Sequence, residues 1–99
     1  MERTYIKELS SKVGQTVKIC GWVDIRRDQG KMVFLDFRDM SGYVQGVVLP
    51  NADKAAHEAA ARVRPEWVVA VEGKVNQRPE KNAQKDKQNG TIELEVLKI

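Results

Sequence analysis

Cysteine is nearly absent from this sequence, because Cys20 is the only one among 99 residues. A single thiol excludes an internal disulfide and a cysteine-rich zinc site, and a free thiol is typical of a reducing compartment. Long apolar runs are also missing, since no stretch approaches the roughly 20 residues of a transmembrane helix. The first residues, Met-Glu-Arg-Thr-Tyr, carry too much charge for a signal peptide. These absences predict a cytoplasmic protein with no membrane partner.

Neither sign of charge dominates the composition. The chain has 17 Lys and Arg residues against 14 Asp and Glu residues, a formal net charge of +3. Such a balance permits an anionic partner without requiring one. With 41% hydrophobic and 31% charged residues, the 99 residues are predicted to form one globular domain, residues 1–99, around a single small core.

Motifs for catalysis or cofactor binding are missing as well. The glycines are isolated turn residues rather than a phosphate-binding loop. His57 is predicted to be a surface residue, because no other ligand lies at metal-binding spacing, and Cys20 has no partner for nucleophilic catalysis. Asp36 and Asp39 fall on opposite sides of a strand, which argues against shared acid–base chemistry. We therefore expect no catalytic residue, metal or cofactor in this chain.

The alternation of apolar and polar residues predicts five strands, and an alanine-rich stretch without glycine or proline predicts a helix between the third and the fourth. The predicted elements are a short helix over 6–13, strands over 17–26, 31–38 and 43–49, a helix over 52–63, and strands over 67–75 and 91–96. Turns are expected at 27–30 and 39–42, and a long hairpin loop at 76–90.

This element order is the layout of the OB-fold, an all-β five-stranded Greek-key barrel whose face on strands two and three commonly binds oligonucleotides. A generic five-stranded barrel and an α+β sandwich are the alternatives. Gly21, in the middle of the first strand, indicates a bulge or a tight bend at a barrel corner. Residues predicted to point inward are Val17, Ile19, Val23, Ile25 and Trp67, whereas Trp22 and Arg26 are predicted to point outward.

The most informative residue is an aromatic on a charged sheet face. Phe34 alternates away from the core residues Leu35 and Phe37, and Gln45 and Glu93 are predicted to share its outer face. An exposed ring offers a base a stacking platform, worth about 1–3 kcal/mol. A glutamine amide can match an unpaired base edge, and a carboxylate selects bases with an amino group, such as cytosine or guanine.

Each of these residues also has an ordinary structural explanation. An outward aromatic or tryptophan commonly packs against a helix, a loop or a neighbouring domain, an outward glutamine is commonly solvated, and glutamates on an edge strand oppose aggregation. The basic residues can track a phosphate backbone or simply cover a solvated surface; they are Arg26, Arg27, Arg38, Lys74, Arg78, Lys81, Lys85 and Lys87. The joint placement of a ring, an amide and a carboxylate favours the binding of single-stranded nucleic acid.

Six ordered motifs run along the chain: Ile19-Cys-Gly-Trp-Val, Arg26-Arg-Asp-Gln-Gly, Val33-Phe-Leu-Asp-Phe-Arg-Asp, Gly42-Tyr-Val-Gln45, Gly73-Lys-Val-Asn-Gln-Arg-Pro-Glu-Lys-Asn82 and Gly90-Thr-Ile-Glu93. Together they strongly resemble the N-terminal anticodon-binding domain of bacterial aspartyl-tRNA synthetases, and the likeness covers essentially the whole chain. Related asparaginyl and lysyl enzymes share the Gly-Trp-Val and Phe-Arg-Asp elements.

The resemblance implies that the domain grips the anticodon loop of tRNA-Asp. In that family the residue matching Phe34 stacks on the middle anticodon base, a uracil. The residue matching Gln45 hydrogen-bonds within the anticodon, and the one matching Glu93 helps to read a neighbouring base. Arginines matching Arg27 and Arg78 contact the RNA near the stem.

The remaining expectations also follow from the resemblance. Arg26 and Asn82 complete the predicted RNA-binding set, and Gly46 departs from the bulkier aliphatic residue common in the family. The chain is interpreted as a domain excised from a homodimeric, ATP-dependent class II aspartate–tRNA ligase. The ATP and magnesium sites would belong to the absent catalytic domain, so the chain alone is expected to be a monomer without enzyme activity. Because the family varies at Gln29, tRNA-Asn is a second candidate partner.

Two other classes of function stay open. One is a stand-alone OB module that binds single strands with little sequence preference, and it would bind poly-U as well as an anticodon hairpin. The other is an OB scaffold or protein-interaction domain whose outer face meets a protein. That possibility is favoured if Phe34→Ala abolishes a protein complex and leaves RNA binding unchanged.

Overall fold

Five strands close into a barrel in this computed structural model, which describes residues 2–30, 32–51, 54–79, 83 and 89–99. The elements are a 3₁₀ helix Ile6–Ser11, β1 Thr16–Gln29, β2 Met32–Asp39, β3 Gly42–Val48, α1 Lys54–Arg62, β4 Val68–Gln77 and β5 Ile92–Lys98. The strand order around the barrel is β1-β2-β3-β5-β4, with β3 and β5 parallel and the other pairs antiparallel. The predicted five-stranded OB-fold is therefore confirmed.

Strand β1 is shared between two partners, and this sharing closes the barrel. Thr16–Trp22 pairs with β4, and Trp22–Gln29 pairs with β2. At the change of partner, a Cβ on Gly21 would lie 2.2 Å from the carbonyl oxygen of Arg38, so a side chain has no room there. The glycine thus lies where the chain changes partner and the backbones approach closely, but the bulge lies between Val23 and Ile25 rather than at Gly21.

The structure corrects three predictions for the second half of β1. Two of them failed at the bulge, because one extra residue shifts the alternation that follows it. Ile25, predicted to be in the core, is 47% exposed. Arg26, predicted to point outward, pairs instead with the core residue Leu35, and its Nε donates to the carbonyl of Ala60 at 3.0 Å. The turn predicted at 27–30 is wrong for its first three residues, which continue the ladder with β2.

The apolar core fills the barrel and extends under the two helices. In a 3₁₀ helix, residues three apart lie on one side, and Ile6 and Leu9 are both fully buried. Ala56 and Ala60 of α1 are buried in the same core. The prediction that Trp67 is a core residue is wrong, because β4 begins one residue later and the indole is 50% exposed. Within the described part of the chain, no helix has both the length and the apolar character that crossing a membrane requires.

Asp39 fastens the 3₁₀ helix to the turn between β2 and β3. Its Oδ2 accepts from the Ile6 N–H at 3.0 Å, and its Oδ1 accepts from the N–H of Ser41 at 2.7 Å and of Gly42 at 3.1 Å. The Ser41 hydroxyl donates to the same oxygen at 2.6 Å. Burial acts to raise the pKa of Asp39, but the bonds from Ser41, Ile6 and Gly42 stabilise the charged form, so the pKa is lowered from 3.8.

Candidate nucleic-acid interface

One row of side chains crosses the outer face of all five strands through Phe34. Residues paired directly across antiparallel strands project to the same face of a sheet. Phe34 pairs with Arg27 on β1 and with Val47 on β3, and the row continues through Glu95 on β5 to Lys74 on β4. The ring predicted to face outward therefore lies outside the barrel, with a cation on one side and an aliphatic residue on the other.

A second row beside the first holds the predicted amide and carboxylate. Asp36 pairs with Gln45, and Glu93 pairs with Asn76. Extending the parallel register of β3 and β5 by one residue places Gln45 beside Glu93. Phe34, Gln45 and Glu93 thus lie on three adjoining strands of one face, which is the juxtaposition expected from their alternation.

The Phe34 ring is half-buried rather than fully exposed. Its neighbour Val47 is only 2% exposed although it lies on the outer face, so an apolar surface supports the ring from one side. The guanidinium carbon of Arg27 lies 5.6 Å from the ring centroid, on the ring face. The ring thus lies on the outer face with a cation over one of its sides.

Arg27 is held in place by two long contacts. Its Nη2 donates to Gln45 Oε1 at 3.4 Å and lies 3.8 Å from Asp36 Oδ1. The alternation of residues did not predict these contacts of Arg27, because Arg27 was expected to lie in a turn. The signal that could have revealed it is a tight hairpin at Gly30, which has a φ of +63° and brings Arg27 opposite Phe34.

The two glutamates of β5 differ in their partners. Asn76 Nδ2 donates to Glu95 Oε1 at 2.9 Å. Glu93 has no hydrogen-bond or ion-pair partner within 2–30, 32–51, 54–79, 83 and 89–99. Both carboxylates keep lone pairs that can accept hydrogen bonds from a ligand, and the one of Glu93 has no competing contact among those residues.

The remaining predicted RNA-binding residues have different positions. Arg78 lies at the end of the β4–β5 pairing, where its Nε donates to the Ile92 carbonyl at 2.9 Å. Arg26 forms an ion pair with Asp28 at 3.0 Å and is turned toward α1, away from the Phe34 row. Asn82 lies outside the described residues, as do Lys81, Lys85 and Lys87.

A second arginine lies over a second aromatic on the same face. Arg38 Cζ is 5.7 Å from the ring centroid of Trp22, the residue directly opposite it on β1. Its guanidinium also binds Asp24 at 3.2 Å and Glu66 at 2.5 Å. The bond to Glu66 raises the pKa of Arg38 above its ordinary value. Trp22 points outward as predicted.

The single histidine has a structural contact rather than a ligand geometry. His57 is half-buried, not a fully exposed surface residue, and its Nε2 donates to the Leu49 carbonyl at 2.6 Å. Among the described residues, no group of three histidine, cysteine or carboxylate side chains is arranged to hold a metal ion.

Comparison with known families matches residues 17–99 to a model described as an OB-fold nucleic acid binding domain. The chain is similar to the aspartate–tRNA(Asp/Asn) ligase of Halothermothrix orenii, with 42% identity over 95% of this chain. It is also similar to the ligase of the same name from Dictyoglomus turgidum, with 45% identity over the full chain. The chain spans only 16% and 17% of these two relatives.

A solved structure is similar to this chain in fold as well as in sequence. The asparaginyl-tRNA synthetase from Pyrococcus horikoshii matches 99% of this chain with a TM-score of 0.79 and 33% identity. The match covers 21% of that longer protein. Similarity in sequence and in fold therefore both relate this chain to a part of aminoacyl-tRNA synthetases.

Proposed function

Since the chain belongs to the family of OB-fold nucleic acid binding domains, we propose that its outer face binds the anticodon loop of tRNA-Asp. The observation that carries this proposal is the placement of Phe34, Gln45 and Glu93 on adjoining strands of one face. A single-stranded loop can present unpaired bases to such a face, whereas a paired helix cannot.

Stacking on Phe34 supplies affinity. The middle anticodon base, splayed out of the loop, lies against the ring and takes the position that Arg27 occupies in the free domain. The displaced guanidinium is then beside the RNA and can contact a phosphate. A base–aromatic stack is worth about 1–3 kcal/mol. Arg27 makes only long contacts, so displacing it costs less than the stack contributes.

Gln45 and Glu93 supply base choice. The Gln45 amide carries both donors and an acceptor, and its N–H groups match a base carbonyl such as those of uracil. Glu93 accepts hydrogen bonds only, so it matches the amino group of a cytosine or guanine beside the uracil. The pair therefore reads two neighbouring bases by opposite hydrogen-bonding character.

The proposal extends to a longer enzyme of which this chain would be one domain. The similar proteins are aspartate–tRNA(Asp/Asn) ligases, and this chain matches about a sixth of their length. We propose that the chain serves as the tRNA-recognition domain of a class II, ATP-dependent, homodimeric aspartate–tRNA ligase of the cytoplasm. Binding at the anticodon would position the distant acceptor end for catalysis elsewhere. Gln29, exposed at the end of β1, lies near the site and bears on the choice between tRNA-Asp and tRNA-Asn.

Titration of the 99-residue chain with anticodon-loop hairpins tests the proposal. We expect the hairpin with the aspartate anticodon to bind more tightly than hairpins changed at one base, as measured by fluorescence anisotropy. Poly-U of equal length is the control for a module without sequence preference. Equal affinity for all of these ligands would reject anticodon reading, and binding that Phe34→Ala leaves unchanged would reject the site.

A further inference from the structure

We propose that Arg26 is a positioning residue: by bonding to the C-terminal turn of α1, it fixes the part of β1 and β2 that carries Phe34. This inference rests on the proposed function and deepens it. It concerns the support of the surface on which a base stacks, and it gives Arg26 a task on the side of the sheet opposite to the RNA.

The segment that carries Phe34 is the far end of the β1–β2 pairing, residues 26–29 with 32–35, called the hairpin arm below. Strand β4 pairs with β1 only over Thr16–Trp22, so in the described part of the chain no strand pairs with the other side of residues 26–29. A ladder that is supported from one side opens more readily than one in the middle of a sheet. The position of the Phe34 ring therefore depends on what else holds the hairpin arm.

Arg26 makes a contact of this kind. Its Nε donates to the Ala60 carbonyl at 3.0 Å, and its Nη2 lies 3.0 Å from Asp28 Oδ1. Ala60 is fully buried in the last turn of α1, where backbone carbonyls lack an intrahelical donor and form the negative end of the helix dipole. A planar guanidinium can satisfy the carbonyl and the carboxylate together. Arg26 thus joins the hairpin arm to α1.

Burial and direction distinguish Arg26 from its neighbour Arg27. Successive residues of a strand project to opposite faces, and Arg27 is the one beside Phe34 on the outer face. The Arg26 side chain is 22% exposed, whereas that of Arg27 is 48% exposed. A base that takes the place of Arg27 over the ring therefore leaves the bonds of Arg26 intact. Arg26 holds the hairpin arm in the free domain and in the complex alike.

Direct contact with RNA and the positioning role predict different results for Arg26→Ala. If Arg26 bound a phosphate, its loss would reduce the slope of log affinity against log salt by about 0.7, and the loss of affinity would not depend on Phe34. If Arg26 positions the hairpin arm, the slope stays unchanged, and the loss of affinity requires the Phe34 ring.

The experiment is an anisotropy titration of an aspartate-anticodon hairpin with the parent chain, Arg26→Ala, Phe34→Ala and the double variant, over a salt series. We expect Arg26→Ala to weaken binding about threefold to tenfold in the parent and to have no further effect once the ring is absent. Arg64→Ala is the matched control and should not weaken binding. Arg64 donates to the Ala61 and Val63 carbonyls at the same helix end, both within its own segment.

A second readout needs no RNA and also shows whether the variant is folded. In the free chain, Arg26→Ala is expected to speed amide hydrogen exchange in the hairpin arm and to leave the β4–β5 ladder protected, whereas Arg64→Ala should not change exchange in the hairpin arm. Faster exchange in both ladders would mean that Arg26 acts on the stability of the whole barrel, and this would overturn the inference.

The inference would also be overturned by an unchanged affinity, by a reduced salt slope, or by equal losses with and without the Phe34 ring. If Phe34→Ala alone still weakens binding in any of these cases, the proposed function stands. If Phe34→Ala has no effect either, the proposed function is rejected together with the inference.

Discussion

Two arginines lie over aromatic rings on the outer face of this barrel, and they are held in different ways. In each pair the residues face each other directly across β1 and β2, Trp22 with Arg38 and Arg27 with Phe34. Arg38 binds two carboxylates at 3.2 and 2.5 Å, whereas the polar contacts of Arg27 are 3.4 and 3.8 Å long. The Trp22–Arg38 pair is therefore fixed, whereas under the proposed function the Arg27–Phe34 pair is displaceable by a base.

The difference comes from a residue outside the sheet. Glu66, just before β4, has a φ of +74° and brings its carboxylate onto Arg38. Arg27 has Asp36 at the limit of ion-pair distance. Two cross-strand pairs with the same chemistry are therefore held with different strength. The Arg38–Trp22 pair joins segments of the fold, and under the proposed function the Arg27–Phe34 pair can exchange with a base.

The largest expected effect is a difference in hairpin affinity between loss of the Phe34 ring and loss of the Trp22 ring. Phe34→Ala should weaken binding of the aspartate-anticodon hairpin by about 1–3 kcal/mol, because the stacking platform is lost. Trp22→Ala is the matched control and should leave affinity unchanged, since Arg38 is held over that ring by two carboxylates. Anisotropy titrations of both variants make the comparison, and equal losses would show that the rings do not differ in function.

The fold and the faces of β2 and of the first part of β3 could be predicted from the sequence, because burial there follows the alternation of the side chains, whereas Val47 is buried on the outer face. Leu35, Phe37 and Val44 are buried as the alternation requires, and Phe34 lies on the outer side. Local pattern suffices for these residues, because each strand has one side facing the core and one facing away from it.

The second half of β1 could not be predicted in this way. The residues around Asp24 still alternate between apolar and polar, and the bulge depends on how β1 meets β2 rather than on local preference. The predictions for Ile25 and Arg26 failed for this reason, and Arg27 was missed as a cover for Phe34. Trp67 failed differently, because an apolar residue next to a valine-rich strand need not belong to that strand.

A second prediction tests the sheet beneath the displaceable pair. A Cβ on Gly46 would lie 2.5 Å from the ring of Phe37, so Gly46→Val overpacks the core under Gln45. We expect a loss of about 1–3 kcal/mol in unfolding free energy, measured by urea denaturation. Adding Phe37→Leu makes room and should restore part of it. No recovery in the double variant would contradict the assignment of the clash to that ring.

A third prediction concerns the stability of the part of the fold that carries the Trp22–Arg38 pair. Asp39 follows Arg38 and has a lowered pKa, so its unfolded form takes up a proton at higher pH than its folded form. The stabilisation is fully present above 3.8 and is lost as the pH falls through the lower folded pKa. Asp39→Asn should therefore cost roughly 1–3 kcal/mol near neutral pH, with little effect on hairpin affinity.

The measurement for Asp39→Asn is the thermal unfolding midpoint of parent and variant over a pH series. Their difference should shrink as the pH falls below 3.8. Ser10→Ala, at an exposed position in the 3₁₀ helix, is the control and should show no such trend. A gap that stays constant with pH would mean that the charge of Asp39 does not contribute.

The smallest expected effect compares the two arginines by salt dependence. If Arg27 moves from the ring to a phosphate, Arg27→Ala should reduce the slope of log affinity against log salt by about 0.7, the value for one phosphate on a single strand. Arg38→Ala should leave the slope unchanged, because its charge is already paired with Asp24 and Glu66. Hairpin titrations between about 50 and 200 mM salt resolve this difference. Equal slopes for the two variants would mean that the Arg27 charge is no more available to the RNA than that of Arg38.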